Sequence, residues 1–187
     1  MREDEYRDFE RVKHIGVRPE VRTLADYHLS VEKGLTMARV YLRKKEICIP
    51  TEDEIKTVHR LSFINVHPWA GTFRGPGQSV QVGDTVCTAP ADIEKELAYL
   101  YKEMTRAPFK GSAQYTAEVI AYYHSAFEAI HPFLDGNGRT GRLILENQLE
   151  LGLGIDNLQT LTRTPYIRAL KEAHRSGDLK PLSALLP

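Results

Sequence analysis

Apolar positions along the chain recur mostly at steps of three and four. Leu24, Tyr27, Val31, Leu35, Ala38 and Leu42 form one stripe and predict a helix over roughly 21–44, despite Gly34 within it. Ile55, Val58, Leu61 and Phe63 predict a shorter helix behind Pro50-Thr51. Thr88 is placed to cap a start at Pro90, after which Ile93, Leu97, Leu100 and Met104 continue the stripe. Val119, Tyr123, Phe127 and Ile130 share one face of a helix over about 116–130, and another runs over about 138–151 until Gly152-Leu153-Gly154. The last predicted helix has Thr164 and Pro165 at its start and Gly177 just past its end, because proline suits a first turn and glycine a helix exit.

One segment follows a different period. Ser79-Val80-Gln81-Val82, then Gly83-Asp84, then Thr85-Val86-Cys87-Thr88 alternates in twos about a turn that begins with glycine, which predicts a β-hairpin with a type II′ turn. An isolated hairpin cannot bury a sheet, so it must lie on the helices or act as a flap. The expected fold is a mainly α helical bundle carrying one small hairpin.

Composition narrows the partners. The 187 residues include 25 basic and 25 acidic side chains, so the formal charge is zero and no nucleic-acid partner is predicted. A local basic cluster could still bind phosphate. Hydrophobic residues at 42% and charged residues at 27% are ordinary for a folded domain, and the length suits one. Cys48 and Cys87 form no C-x-x-C pair, which agrees with a reducing, cytoplasmic setting. The N-terminal MREDEYRDFERVK is too charged for a secretory signal. The longest stretch without Lys, Arg, Asp or Glu, Leu61 to Phe73, has 13 residues and includes His67, Pro68 and Gly71, so no membrane span is expected.

The chemistry concentrates in His131-Pro132-Phe133-Leu134-Asp135-Gly136-Asn137-Gly138-Arg139-Thr140-Gly141-Arg142, between two predicted helices. Glycines 136 and 138 let backbone amides turn toward a bound group, and a helix N-terminus favours an anion. Arg139 and Arg142 lie on the first turn, where cations oppose the helix dipole unless a polyphosphate shares the space. Asp135 offers a hard oxygen to magnesium beside such a phosphate. His131 has an ordinary pKa near neutrality and can take a proton from a hydroxyl. The letters from Gly136 to Gly141 also match the dinucleotide fingerprint, but that motif must follow a buried strand and a helical stripe precedes it here. His124, Glu128 and His131 lack H-E-x-x-H spacing, which disfavours a transition-metal site.

This segment resembles the active-site signature of the Fic (Fido) family, H-x-F-x-[DE]-G-N-G-R-x-x-R, at all eight fixed positions of the twelve residues. His67-Pro68-Trp69-Ala70-Gly71-Thr72-Phe73-Arg74 is similar to the upstream family segment Y-P-W-A-G-x-x-R. Tyr166 to Leu182 is similar to the family's closing helix, so the likeness covers about residues 55–185. It implies a Fic domain at 55–187 with residues 1–54 as a helical extension packed on it. It also implies transfer of AMP from ATP to a Tyr, Thr or Ser hydroxyl of a target protein, with release of pyrophosphate. His131 would be the base and Asp135 the magnesium ligand. Asn137 and the amides around Gly136 and Gly138 would cradle the α- and β-phosphates, with Arg139 and Arg142 at the β/γ end. The family branch that phosphorylates its target has lysine where Gly138 stands and lacks the second arginine, so this chain favours adenylylation. Val80, Gln81 and Val82 would belong to the flap that aligns the target as an added strand. The valines at 80, 82 and 86 serve equally well as packing of a hairpin on the bundle. Trp69, Phe133, Tyr122 and Tyr123 are expected in the core.

The chain departs from many family members in one respect. Their inhibitory helix carries [ST]-x-x-x-E-[GN], and no Ser or Thr here has Glu four residues on. The nearest approach is His28-Leu29-Ser30-Val31-Glu32-Lys33, where a solvated Glu32 is the expectation. A separate small antitoxin protein supplying that helix is the partner this implies, unless the chain is unregulated. Delivery into a host cytosol would go with an effector role. Two alternatives stay open: a nucleotide-binding module without useful catalysis, and a family enzyme that transfers another group or removes AMP.

Overall fold

The computed structural model describes residues 3–82, 85–106, 109, 111–155 and 163–186. Helix α1 is Glu3–His14, α2 Leu24–Lys45, α3 Glu52–Phe63, α4 Ile93–Arg106, α5 Ala113–Ile130, α6 Asn137–Leu153, α7 Arg163–Ser176 and α8 Lys180–Ser183, with a single 3-10 turn at Pro90–Asp92. Each stripe read above lies within one of these helices, and caps account for their ends. Thr23 and Thr51 each close a capping box, with Asp26 and Glu54 respectively, so α2 and α3 begin one residue later. Ser112 caps α5 through the Tyr115 amide, which moves its start ahead of the expected 116.

Thr88 does not cap. Ala89 holds the N-cap position of the 3-10 turn without a side-chain bond. The main chain of Thr88 is instead tied to the bundle, its N–H donating to the Ala129 carbonyl at 3.3 Å. The hairpin is also shorter than the alternation suggested. Gln81–Val82 (β1) pairs antiparallel with Thr85–Val86 (β2), while the turn at Gly83-Asp84 lies outside the described residues. Val82 is 47% exposed and Val86 79%, so these two valines do not pack on the helices.

The core forms around α5 and α6. Tyr123, Phe127 and Ile130 of α5 pack with Ile55, Ile93, Leu97, Leu100, Met104, Phe133 and Ile144, bringing α3, α4 and α6 to one face. The other face of α5 holds α7 and α8 through Ile120, Leu145, Leu149, Tyr166, Ala169 and Leu182. Tyr122, one residue off the buried face, is 40% exposed, contrary to its expected place in the core. The N-terminal helices sit on α3, with Phe9, Val21, Tyr27 and Val31 against Phe63, Val66 and Ala70. Gly34 is required there, since a Cβ would stand 2.2 Å from the Ser62 carbonyl. Among the described residues no helix is long and apolar enough to cross a membrane.

Candidate active site

The signature residues form the turn from α5 into α6. His131 is the C-cap of α5, at φ 51° and ψ 60°, and its N–H donates to the Phe127 carbonyl at 3.0 Å. A left-handed histidine is uncommon and marks a position the surroundings over-determine. The chief constraint is Arg74, only 3% exposed, whose guanidinium meets no carboxylate among its described bonds. Its Nε donates to the His131 carbonyl at 2.7 Å and Nη2 to Ile130 at 3.1 Å. Nη2 also donates to the Thr88 carbonyl, and Nη1 to Gln78 at 3.2 Å. One cation therefore satisfies the negative end of α5 and fastens the base of the hairpin to it.

Beyond His131 the loop is held from inside. Asn137 is buried, with Oδ1 accepting from the Phe133 N–H and Nδ2 donating to the Phe133 carbonyl, both at 2.8 Å. Its side chain is thus committed to the loop. Gly136, at φ 82°, is the N-cap of α6 and offers no side-chain cap to the first amides. A Cβ there would lie 2.6 Å from the Phe63 ring, so glycine is needed for contact as well as conformation. The amides that open α6 are the donors a phosphate would meet.

The α3 side of the loop is a layer of rings. His59 is fully buried, stacked on Phe133 at 3.7 Å between centroids. Its Nδ1 accepts from the Gly71 N–H at 2.9 Å, so Nε2 carries the proton and donates to the Asp135 carbonyl at 3.0 Å. Burial pushes its pKa down to about 4, keeping the ring neutral. His67 donates Nδ1–H to the Gly16 carbonyl at 2.9 Å and stacks on Trp69. The Tyr27 hydroxyl lies 3.2 Å from His67 Nε2 and 3.3 Å from Asp135 Oδ2. Arg139 completes this cluster, with Nη2 2.9 Å from Asp135 Oδ2 and the guanidinium over the Phe63 ring. Burial raises the Asp135 pKa, but Arg139, the Gly136 amide, His67 and Tyr27 outweigh it and hold the carboxyl below its ordinary range. A cleft of about 540 Å³ opens beside Asp135 and Arg139, lined also by Arg11, Tyr27, His28 and Leu134.

The α5 side differs. The His131 ring points Nδ1 at the Glu128 carbonyl, 3.3 Å away. A carbonyl only accepts, so Nδ1 bears the proton and Nε2 of the neutral ring keeps its lone pair. Burial lowers the His131 pKa, against a smaller opposing effect of that carbonyl. Glu128 itself is 7% exposed, and burial pushes its carboxyl up to about 7 although Arg142 acts the other way. Arg142 is exposed, interacts with the Tyr166 hydroxyl, and has Nη1 3.4 Å from where a Gly138 Cβ would stand. The structure thus gathers His131, Asp135, Gly136, Asn137, Gly138, Arg139 and Arg142 on one turn. Val80, Gln81 and Val82 stand on the hairpin stalk that Arg74 anchors. Glu32 is exposed on α2, as its helical position suggested.

Tyr27, His59, Arg74 and Glu128 support this turn without having been singled out as site residues by the sequence. Two of these left a signal in the sequence: Arg74 closes the segment similar to Y-P-W-A-G-x-x-R, and Glu128 is a carboxylate one helical turn before His131.

Residues 49–149 match the model of the Fic/DOC family. The Fic protein adenylyltransferase of Nematostella vectensis is 32% identical over 157 residues, covering 82% of this chain and 35% of the relative. The probable Fic protein adenylyltransferase of Escherichia coli K12 is 28% identical over 134 residues, covering 70% of this chain and 64% of that one. The chain spans about a third of the length of the Nematostella relative. Among solved structures, the BepC effector of Bartonella tribocorum with bound AMPPNP superposes with a TM-score of 0.73 at 21% identity, covering 91% of this chain and 89% of that one, which speaks to the fold. With the family model matched over more than half of its residues and every fixed signature position placed on one helix-to-helix turn, this chain belongs to the Fic/DOC family.

Proposed function

We propose that this domain transfers AMP from ATP to a Tyr, Thr or Ser hydroxyl of a target protein. The observation that carries the reading is the His131 ring, fixed by its Nδ1 contact with Glu128 O so that Nε2 is the free base, beside an uncapped α6 N-terminus flanked by Arg139 and Arg142. The target oxygen attacks the α-phosphorus while its proton passes to Nε2, and the bond to pyrophosphate breaks on the opposite side. Amides at Gly136 and Gly138 and the two arginines hold the phosphates and meet the charge that develops on the leaving group. Asn137 keeps the loop in shape for them. The Nematostella relative, a protein adenylyltransferase, and the Escherichia coli relative, a probable one, agree with this reading.

Asp135 suits magnesium held jointly with a nucleotide. Its carboxylate is kept ionised and partly open, and among the described residues no three His, Cys, Asp or Glu side chains gather to hold a metal by themselves. A bound magnesium ion would supply charge neutralisation at the phosphates. Val80, Gln81 and Val82 serve as the edge on which a target segment pairs, supported by the exposure of the neighbouring valine side chains. Residues 1–54 act as an extension that braces the site through Tyr27, and 55–187 as the catalytic domain. A separate small antitoxin is the partner that would supply an inhibitory helix, unless the chain is unregulated; the exposure of Glu32 keeps that residue from serving in its place. Copurification alone with full basal activity and no toxicity counts against that partner.

Incubation with ATP labelled on the α- or the γ-phosphate tests the reaction. Label kept on protein from α only is the expected outcome. Label from γ only means phosphorylation, and label from neither removes ATP as the donor of a transferred group.

A further inference from the structure

We infer that Glu128 is a positioning residue for His131: its buried carboxylate lies behind Nδ1, on the side where the Glu128 main-chain carbonyl holds the ring, and stabilises the cation formed when Nε2 takes the proton of the attacking hydroxyl. This inference rests on the reading of His131 as the base. The geometry is local. One turn of α5 places two oxygens on the Nδ1 side of the ring, the Glu128 carbonyl that accepts its hydrogen bond at 3.3 Å and the Glu128 Oε2 at 4.0 Å, within reach of charge but not of a hydrogen bond. Oε1 is buried with no hydrogen-bond partner among the described residues, a costly state for a carboxylate unless something else compensates.

The space for it is made by glycine. A Cβ on Gly141 would lie 2.3 Å from Glu128 Oε1, and one on Gly138 would lie 3.9 Å from Oε2. Helix α6 therefore leaves a slot for the carboxylate, although an apolar side chain on α5 would fill the same helix contact without orphaning an oxygen. The charged and titratable groups that face it are His131 on α5, Arg142 on α6, Tyr166 on α7 and Cys87 beyond β2. Burial raises the pKa of both Tyr166 and Cys87, so phenol and thiol stay neutral. The cationic partners of the carboxylate are Arg142 and the ring of His131 once it is protonated; the ring in turn feels Arg74 and His174, which oppose its protonation, and Asp135, which favours it.

The proton balance is simple. The hydroxyl loses its proton to Nε2 as the oxygen–phosphorus bond forms, and the imidazolium carries Nδ1–H toward Glu128, whose carboxyl is ionised above about pH 7. Removing that charge makes the ring a weaker base. With the carboxyl ionised only above about pH 7, the wild-type rate declines below that pH; without the carboxyl the acidic limb moves down to the titration of the ring alone, and the plateau rate above pH 7 falls.

Glu128→Gln keeps the shape and removes the charge. In the full chain with isotope-labelled histidine, the His131 ring resonance is identified by its loss in His131→Ala. The wild-type ring is expected to titrate in two coupled steps with Glu128, and the ring in Glu128→Gln in one step at lower pH. In AMP transfer, Glu128→Gln is expected to lose about tenfold or more in kcat, with KM for ATP nearly unchanged and a melting temperature no lower than wild type. Glu128→Asp should recover part of the rate. An unchanged His131 titration with active wild-type enzyme overturns the inference and leaves the reaction intact. A shifted titration in a protein that transfers no AMP supports the ring contact and overturns the reaction instead.

Discussion

The two flanks of the signature turn are built on opposite terms. On the α3 side, His59, His67, Tyr27 and Arg139 surround Asp135 with rings and hydrogen bonds. On the α5 side, Glu128 keeps an oxygen with no hydrogen-bond partner among the described residues, Arg142 is exposed, and His131 holds a left-handed backbone with Nδ1 turned inward. The first flank fixes geometry: His59, His67 and Tyr27 are committed to it, while Asp135 and Arg139 stay partly open to the cleft. The second retains unspent hydrogen-bonding and charge, which is costly to the empty protein and useful once phosphates and a hydroxyl arrive. Arg74 ties the α5 side to the hairpin, because the carbonyls it binds belong both to the turn and to the hairpin.

Substitutions on the two flanks should therefore fail in different currencies. The largest effect on stability is expected at the joint. Arg74→Met orphans the carbonyls of Ile130, His131, Thr88 and Gln78, and with about 1 kcal/mol or more for each buried group the loss should reach roughly 4 kcal/mol. Urea unfolding measures it, and a loss below about 1 kcal/mol would mean water replaces the guanidinium freely. Next in size is His131→Ala, expected to slow AMP transfer by about 10²-fold or more. ATP binding and unfolding should barely change, since alanine meets the same φ of 51° that histidine already tolerates. A variant that unfolds early would place His131 with the structural flank. The smallest effect belongs to Tyr27→Phe, which removes the hydroxyl shared by Asp135, His67 and Arg139 while keeping the ring. About 1 kcal/mol of stability should be lost, with transfer slowed less than about threefold. A fall in rate as large as that of His131→Ala would show that the N-terminal helix takes part in the chemistry.

The sequence-derived account succeeded where the physics is local. Helical period placed α2 through α7 because each buries one continuous stripe, and threonine or serine ahead of a stripe set its start. Helix α1 carries mean polarity too high for its stripe to stand out, and α8 has only four residues. Thr88 looked like a cap because proline followed it, whereas its main chain was claimed by Ala129 and Arg74. Tyr122 was grouped with Tyr123 by adjacency, but neighbours on a helix are about 100° apart and face different surroundings.

The candidate site divides the same way. His131, Asp135, the glycines and both arginines fall within twelve residues, so a helix, a turn and a second helix suffice to bring them together. What holds them comes from far along the chain: Arg74 lies 57 residues before His131, His59 76 before Asp135, and Tyr27 108 before it. Asn137 could be read as a phosphate ligand from the motif, while its bonds to Phe133 appear only once the turn is closed. The sequence by itself determined which candidate side chains fall together and that two helices would present them, since both follow from spacing along one short segment. Only the tertiary structure decided which of those groups are held and which are left open, because hydrogen-bond satisfaction and burial depend on contacts between segments that no local pattern encodes.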